Sequence, residues 1–133
     1  MAYGTIYSDT IQGSTANTAP VFKDGNTVEI GQLCKAWVNF DGTSGGSVRA
    51  SFNTSSKTRN GTGDWTQSFT ISFVDASYTF VSTSACAPGG GWSYGLIGGH
   101  NGGNTTSNVR FRTAQGSAYT QVDEGQISCL ETR

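Results

Sequence analysis

Charge is what this chain has least of. Only 13% of its 133 residues are Asp, Glu, Lys or Arg, and the formal net charge is −1. A nucleic-acid binder normally carries a basic patch or stripe, so that class is not expected. The same balance gives no electrostatic reason to bind an anionic membrane. No apolar run approaches the roughly 20 residues of a membrane-spanning helix, and membrane insertion is not expected. The first residues, Met1-Ala2-Tyr3-Gly4-Thr5, lack a basic stretch followed by an apolar core, so a secretory signal is not expected either. There are two prolines and one histidine, His100. The three cysteines, Cys34, Cys86 and Cys129, are far apart and form no CxxC. An odd count without a secretory signal favours reduced, buried thiols. One histidine and these spacings do not suit zinc. Strong helix formers are scarce, with leucine only at Leu33, Leu96 and Leu130.

Glycine is plentiful, at nineteen residues, and Thr, Ser and Asn are frequent. Such composition alone would suit a disordered chain. Three Trp, five Tyr and seven Phe argue for a packed core instead. Apolar residues recur with a period of two. Cys34, Ala36, Val38 and Phe40 alternate with Lys35, Trp37, Asn39 and Asp41. Val48, Ala50 and Phe52 alternate with Arg49 and Ser51. Trp65, Gln67, Phe69, Ile71 and Phe73 form one set against Thr66, Ser68 and Thr70. Residues 78–84, 108–113 and 126–131 are further short strand candidates. Between them stand turn clusters at 24–26, 42–46 and 60–64. The last joins 55–59 to 64–73 as a hairpin, and 42–46 joins 35–41 to 47–53. Short alternating runs between turns predict an all-β protein, an antiparallel, jelly-roll-like β-sandwich.

Two regions depart from this pattern. Residues 1–31 are polar, with isolated apolar positions including Ile6, Ile11, Val21 and Phe22. They read as an extended N-terminal arm for attachment or oligomerisation, leaving 32–133 as the sandwich domain. Residues 87–107 form a glycine-rich loop, a length that usually signals binding or motion. There Trp92 and Tyr94, with His100, Asn101 and Asn104, have the composition of a glycan- or receptor-facing surface. Aromatic faces pack on sugar rings and amides bond hydroxyls. The competing reading anchors Trp92 and Tyr94 on the core. Trp37 and Trp65 lie in strong strand patterns and belong to the core or an interface.

Catalysis is not expected. His100 has no neighbours suited to general-base or ligand work. Paired carboxylates could hydrolyse sugars if held about 5–9.5 Å apart. Yet Asp41 and Asp64 flank hairpin turns, where carboxylates commonly bond their own backbone. Arg49, Arg59, Arg110 and Arg112 are isolated on strands and read as solvated or cross-strand paired. No catalytic, metal or phosphate-loop motif is present, and no cofactor or metal is expected.

One resemblance adds a setting. The opening Met1-Ala2-Tyr3-Gly4-Thr5-Ile6 with Ser8-Asp9-Thr10-Ile11-Gln12, then Ala19-Pro20-Val21-Phe22 and Glu29-Ile30-Gly31, resemble small virion proteins of tailed phages of aquatic bacteria, such as cyanophages. So do Cys34-Lys35-Ala36-Trp37-Val38-Asn39-Phe40-Asp41-Gly42-Thr43, Val48-Arg49-Ala50-Ser51-Phe52-Asn53, Arg59-Asn60-Gly61-Thr62-Gly63-Asp64-Trp65 and Asp75-Ala76-Ser77-Tyr78. The family also forms the C-terminal part of longer tail-fibre proteins. The resemblance spans residues 1–80. Beyond Ser84 only the ending, Val109-Arg110-Phe111 and Ile127-Ser128, is similar, and 87–107 has no counterpart. It implies a virion component made in the host cytoplasm, without catalytic residues, commonly a homotrimer when it serves as a fibre. The partners implied are further copies of itself, other tail or capsid proteins, and a host surface glycan. His100 would then suit an ion on a threefold axis. Two roles stay open: a tail-fibre or tip module, and a capsid decoration protein that stabilises the head shell. A carbohydrate-binding module or glycosidase is the option of a different class.

Overall fold

In a computed structural model the described residues are 8, 10, 21–23, 29–43, 45–85, 93–94, 103–115 and 120–132. The chain divides into two compact units, Met1–Leu33 and Cys34–Arg133. In the first, β1 (Val21–Lys23) pairs antiparallel with β2 (Glu29–Gln32), with Val21 opposite Gln32 and Phe22 opposite Gly31. The expected arm is therefore a hairpin where it is described. Ile6 and Ile11 lie outside the described residues.

The second unit is an antiparallel β-sandwich, as the period-two pattern predicts. Its strands follow in order: β3 (Cys34–Phe40), β4 (Val48–Phe52), β5 (Thr54–Gly61), β6 (Asp64–Phe69), β7 (Thr79–Ala85), β8 (Ser93–Tyr94), β9 (Asn108–Arg112), β10 (Ala114–Gln115), β11 (Thr120–Gln121) and β12 (Gln126–Thr132). One sheet has the order β4-β3-β12-β7 and the facing one β5-β6-β9. A small third sheet runs β11-β10-β8.

The core is what the alternation puts on the two inner faces. Ala36, Val38 and Phe40 of β3 and Ile127 and Cys129 of β12 come from the four-stranded sheet. Trp65 and Phe69 of β6 and Val109 and Phe111 of β9 come from the other. The Phe40 ring meets Trp65 edge-on at 5.2 Å and Phe111 at 6.3 Å. Phe80 of β7 reaches Phe111 at 5.2 Å. A second aromatic group, Phe69, Phe73 and Tyr78, closes one end, with ring separations of 4.4 to 5.8 Å. Lys57 of β5 covers the Phe40 and Trp65 rings. Its ammonium lies 5.0 Å from the Phe40 ring centroid and 4.6 Å from that of Trp65, and bonds the Gly46 carbonyl.

The inner faces also hold two polar side chains, Gln67 of β6 and Glu131 of β12, both fully buried. Gln67 Nε2 donates to Thr54 Oγ1 at 3.0 Å and to Glu131 Oε2 at 3.4 Å. Cys34 and Cys129 are free thiols, and burial raises the pKa of both. Cys86 lies outside the described residues.

Strand bounds differ from the sequence reading where single residues turn the chain. The set Trp65, Gln67, Phe69 continues on paper to Ile71, but β6 ends at Phe69 and Ile71 is exposed. The cause is Asn53. It links β4 of one sheet to β5 of the other with φ at 52°, in the left-handed region that Asn tolerates better than most residues. Its Oδ1 accepts from Ile71 N at 2.6 Å, and its Nδ2 donates to the Lys35 and Ile71 carbonyls at 3.0 Å. Its own carbonyl accepts from Thr70 N at 3.2 Å. These bonds pull 70–71 away from the line of β6.

Asn53→Gly keeps the backbone angle and loses the side-chain bonds, which should cost about 1–3 kcal/mol. Asn53→Ala should cost about 1 kcal/mol more, because alanine resists positive φ. Urea unfolding measures both. Wild-type stability in the two variants would remove Asn53 as the corner that joins the sheets.

Candidate functional site: an apolar row on the outer face of the four-stranded sheet

A strand that buries alternate residues must present the others outward. On β3 this exposes Trp37 and Asn39. Register then decides what stands beside them. Trp37 is opposite Phe52 of β4 on one side and Leu130 of β12 on the other, and Leu130 is opposite Val81 of β7. Phe52, Trp37, Leu130 and Val81 thus form one unbroken cross-strand row over all four strands. Their exposures are 54%, 36%, 41% and 54%. At the usual strand spacing the row spans roughly 14 Å. Two residues along lies a second row, Ala50, Asn39, Ser128 and Thr83, uncharged and polar in all but Ala50. Asn39 Nδ2 donates to Ser128 Oγ there at 2.6 Å.

The facing sheet presents the opposite chemistry. Ser56 and Thr58 of β5, Thr66 and Ser68 of β6, and Asn108 and Arg110 of β9 occupy its outer face by register, and Asn60 joins them by donating from Nδ2 to Thr66 Oγ1 at 2.9 Å. At its end Asp64 is buried under two arginines. Arg110 grips the carboxylate with both Nε and Nη2 at 2.8 Å, and Arg112 Nε adds a bond at 3.1 Å. Asn60 Nδ2 donates at 3.2 Å. The Arg110 bonds are the main reason its carboxyl pKa falls to about 2. This corrects the expectation that Asp64 bonds its own backbone, since side chains, the cross-strand arginines above all, take up both of its oxygens. Asp41 follows that expectation and accepts from Thr43 N at 2.9 Å. Asp123 is held by Arg59 Nη2 at 2.7 Å and by Gly63 N at 2.8 Å. Asp64 and Asp123 sit in ion pairs that favour the charged form, the reverse of what a general acid needs.

The loop residues singled out in the sequence are only partly placed. Trp92, His100 and Asn101 lie outside the described residues. Tyr94 is on β8, paired with Ala114. Asn104 makes an isolated bridge to Val109 and is half-buried. Val21 and Phe22 are in the first unit's hairpin. Among the described residues no group of three or more His, Cys, Asp or Glu could hold a metal ion. The row itself draws on three residues that sequence reading did not single out: Phe52, Val81 and Leu130. Each belongs to an alternating run, but only the register shows that they share one line.

A row of two aromatic and two aliphatic side chains without charge cannot move protons or bind ions. It can bury apolar surface against a second protein, with Trp37 near its centre. Interface cores are depleted in charge and enriched in tryptophan, and such central residues dominate binding energy. Comparison with protein-family models, with curated proteins and with solved structures gives no match.

The Asp64 cluster carries a pH signature. Its folded pKa is depressed from 3.8 to about 2, so its stabilisation is complete above 3.8 and lost as pH falls through about 2. Asp64→Asn should lower stability by about 2 kcal/mol at pH 7 and by almost nothing at pH 2. Denaturant unfolding at the two pH values measures this, and an equal loss at both would contradict the ion-pair account.

Proposed function

We propose that this chain is a non-enzymatic structural module of a tailed-bacteriophage particle, of the tail-fibre or tip type, that works by assembly. The observation that carries the reading is the uncharged row Phe52–Trp37–Leu130–Val81 on an open sheet face. A solitary exposed Leu or Val needs no explanation, but a contiguous apolar strip marks an interaction surface. The partners are neighbouring copies in a homotrimer and other virion proteins. The resemblance of residues 1–80 supplies the particle, and the row supplies the mode of action. Net charge near zero supports the same reading, because an isolated domain with so little charge is weakly protected from association.

Substituting Trp37→Thr and Leu130→Thr tests it. Threonine keeps β propensity and removes the apolar surface. Each change should weaken assembly by about 1–3 kcal/mol, read as oligomer dissociation in sedimentation and as reduced incorporation into particles. Stability of the folded unit should change by less than about 1 kcal/mol, since neither side chain is in the core. Unchanged assembly and incorporation in the double variant would overturn the reading. Copies per particle discriminate within it: tens fit a tail position, whereas hundreds would move the module to the head shell.

A further inference from the structure

Between the sheets the core contains a group that an apolar sandwich does not need. Glu131 is 0% exposed, and its neighbours across the strands of its own sheet are Ala36 and Phe80. From the facing sheet comes Gln67, also 0% exposed. The two heads touch through Gln67 Nε2 and Glu131 Oε2 at 3.4 Å. The remaining oxygens, Glu131 Oε1 and Gln67 Oε1, are both buried, and no donor among the described residues reaches either. Two acceptors cannot bond one another. An unsatisfied buried oxygen is destabilising, and more so when charged. One proton on the carboxyl removes both deficits, because an acid O–H can donate to the amide oxygen while the amide N–H donates back.

We propose that Glu131 is carried in the folded protein as a neutral carboxylic acid in a reciprocal pair with Gln67, and that this pair is a clip between the sheets that alkali opens. Raising the pH transfers the carboxyl proton to hydroxide or a buffer base. Among the described residues no cation acts on the anion left behind. The titratable groups that act on Glu131 are Tyr78, ahead of β7, Cys34 of β3 and Cys129 of β12. All three are neutral or negative and cannot compensate a carboxylate. Lys57, opposite Gln67 across β5 and β6, is committed to the Phe40 and Trp65 rings and to carbonyl oxygens. Burial accordingly pushes the Glu131 carboxyl up to about 8, with the Gln67 bond opposing only in part.

The sign follows from comparing folded and unfolded chains. The unfolded carboxyl titrates near 4.5 and the folded one near 8. The clip's contribution is therefore full below 4.5 and is lost as pH rises through 8. Between pH 5 and 9 the unfolding equilibrium constant should rise on the order of 10²–10³-fold from this group alone. The inference concerns the folded unit and does not depend on what covers the apolar row.

The test compares the full chain with Glu131→Gln in urea unfolding from pH 5 to 9. Glutamine keeps both bonds of the pair and cannot ionise. The variant should match wild type at pH 5 and retain its stability at pH 9, where wild type loses it. Parallel pH dependence in the two proteins would overturn the proposal. The wild-type protein gives an answer independent of the variant's folding, through the carbon-13 shift of the Glu131 carboxyl. Titration near 8 supports the clip, and titration near the ordinary 4.5 removes it.

Discussion

The edge-on contact of Trp65 with Phe40, at 5.2 Å, sets the terms for the rest of the sandwich. It joins the start of β6 to the end of β3 and so holds one sheet against the other. Phe111 beside Trp65 and Phe80 beyond it continue the same layer. Packed at this density, the inner faces tolerate no change of register. A slip by one residue would send Trp65 and Phe111 to the solvent face and bring Thr66 and Arg110 inside. Lys57 seals the layer's rim with its ammonium over the Phe40 and Trp65 rings and on backbone carbonyls.

Fixing the inner face fixes the outer one. Once Ala36, Val38 and Phe40 point inward, Trp37 has nowhere to go but out. The same holds for Leu130 between Cys129 and Glu131, and for Val81 between Phe80 and Ser82. The row is thus a consequence of the core's register, although its apolar character is not. The equivalent outward positions of the facing sheet carry Ser, Thr, Asn and Arg and satisfy the same geometry with water. Two sheets under one geometric rule but with opposite outer chemistry point to a demand on the four-stranded face that folding does not impose. Docking onto protein is such a demand.

Most of the fold was legible because it depends on period. The alternation at 34–41 and 48–52 places β3 and β4 within a residue or so, while the run at 65–73 finds the start of β6 and overshoots its end at Phe69. The turn at 60–64 is visible because glycine there supplies the positive φ that Gly63 adopts at 61°. A Cβ on Gly63 would stand 2.5 Å from the Thr113 carbonyl oxygen. What sequence could not give was anything that depends on which strands become neighbours. Trp37 and Trp65 look alike in their runs, as core or interface, yet one is in the layer and the other in the row. Asp64 looks like a turn carboxylate until β9 brings Arg110 and Arg112 beside it. Glu131 looks like an exposed residue at a strand end, because nothing local announces that Gln67 waits opposite. The arm and the 87–107 loop were readable as departures from period. Of their singled-out residues only Val21, Phe22, Tyr94 and Asn104 fall where the structure describes them.

A last step links the low charge to the row. A free chain with net charge −1 and an apolar strip on an open sheet has two reasons to associate and little repulsion to prevent it. For a protein that must diffuse alone this is a liability, and evolved surfaces usually counter it with lysine or glutamate on the exposed face. Here neither of the two central rows carries a charge, and on the same side of β3 the alternation places Lys35 before them and Asp41 after them. Arg49, the cation of β4, turns away to bond the Phe40 and Gly125 carbonyls. The arginine that could have guarded the face is spent on the strand edge. A face left unguarded costs nothing once a neighbour covers it. The same substitutions that would make the free protein safer, a charge at Trp37 or Leu130, would place an unpaired ion at the centre of the contact, where desolvation is most expensive. The surface is thus better suited to being covered than to being free.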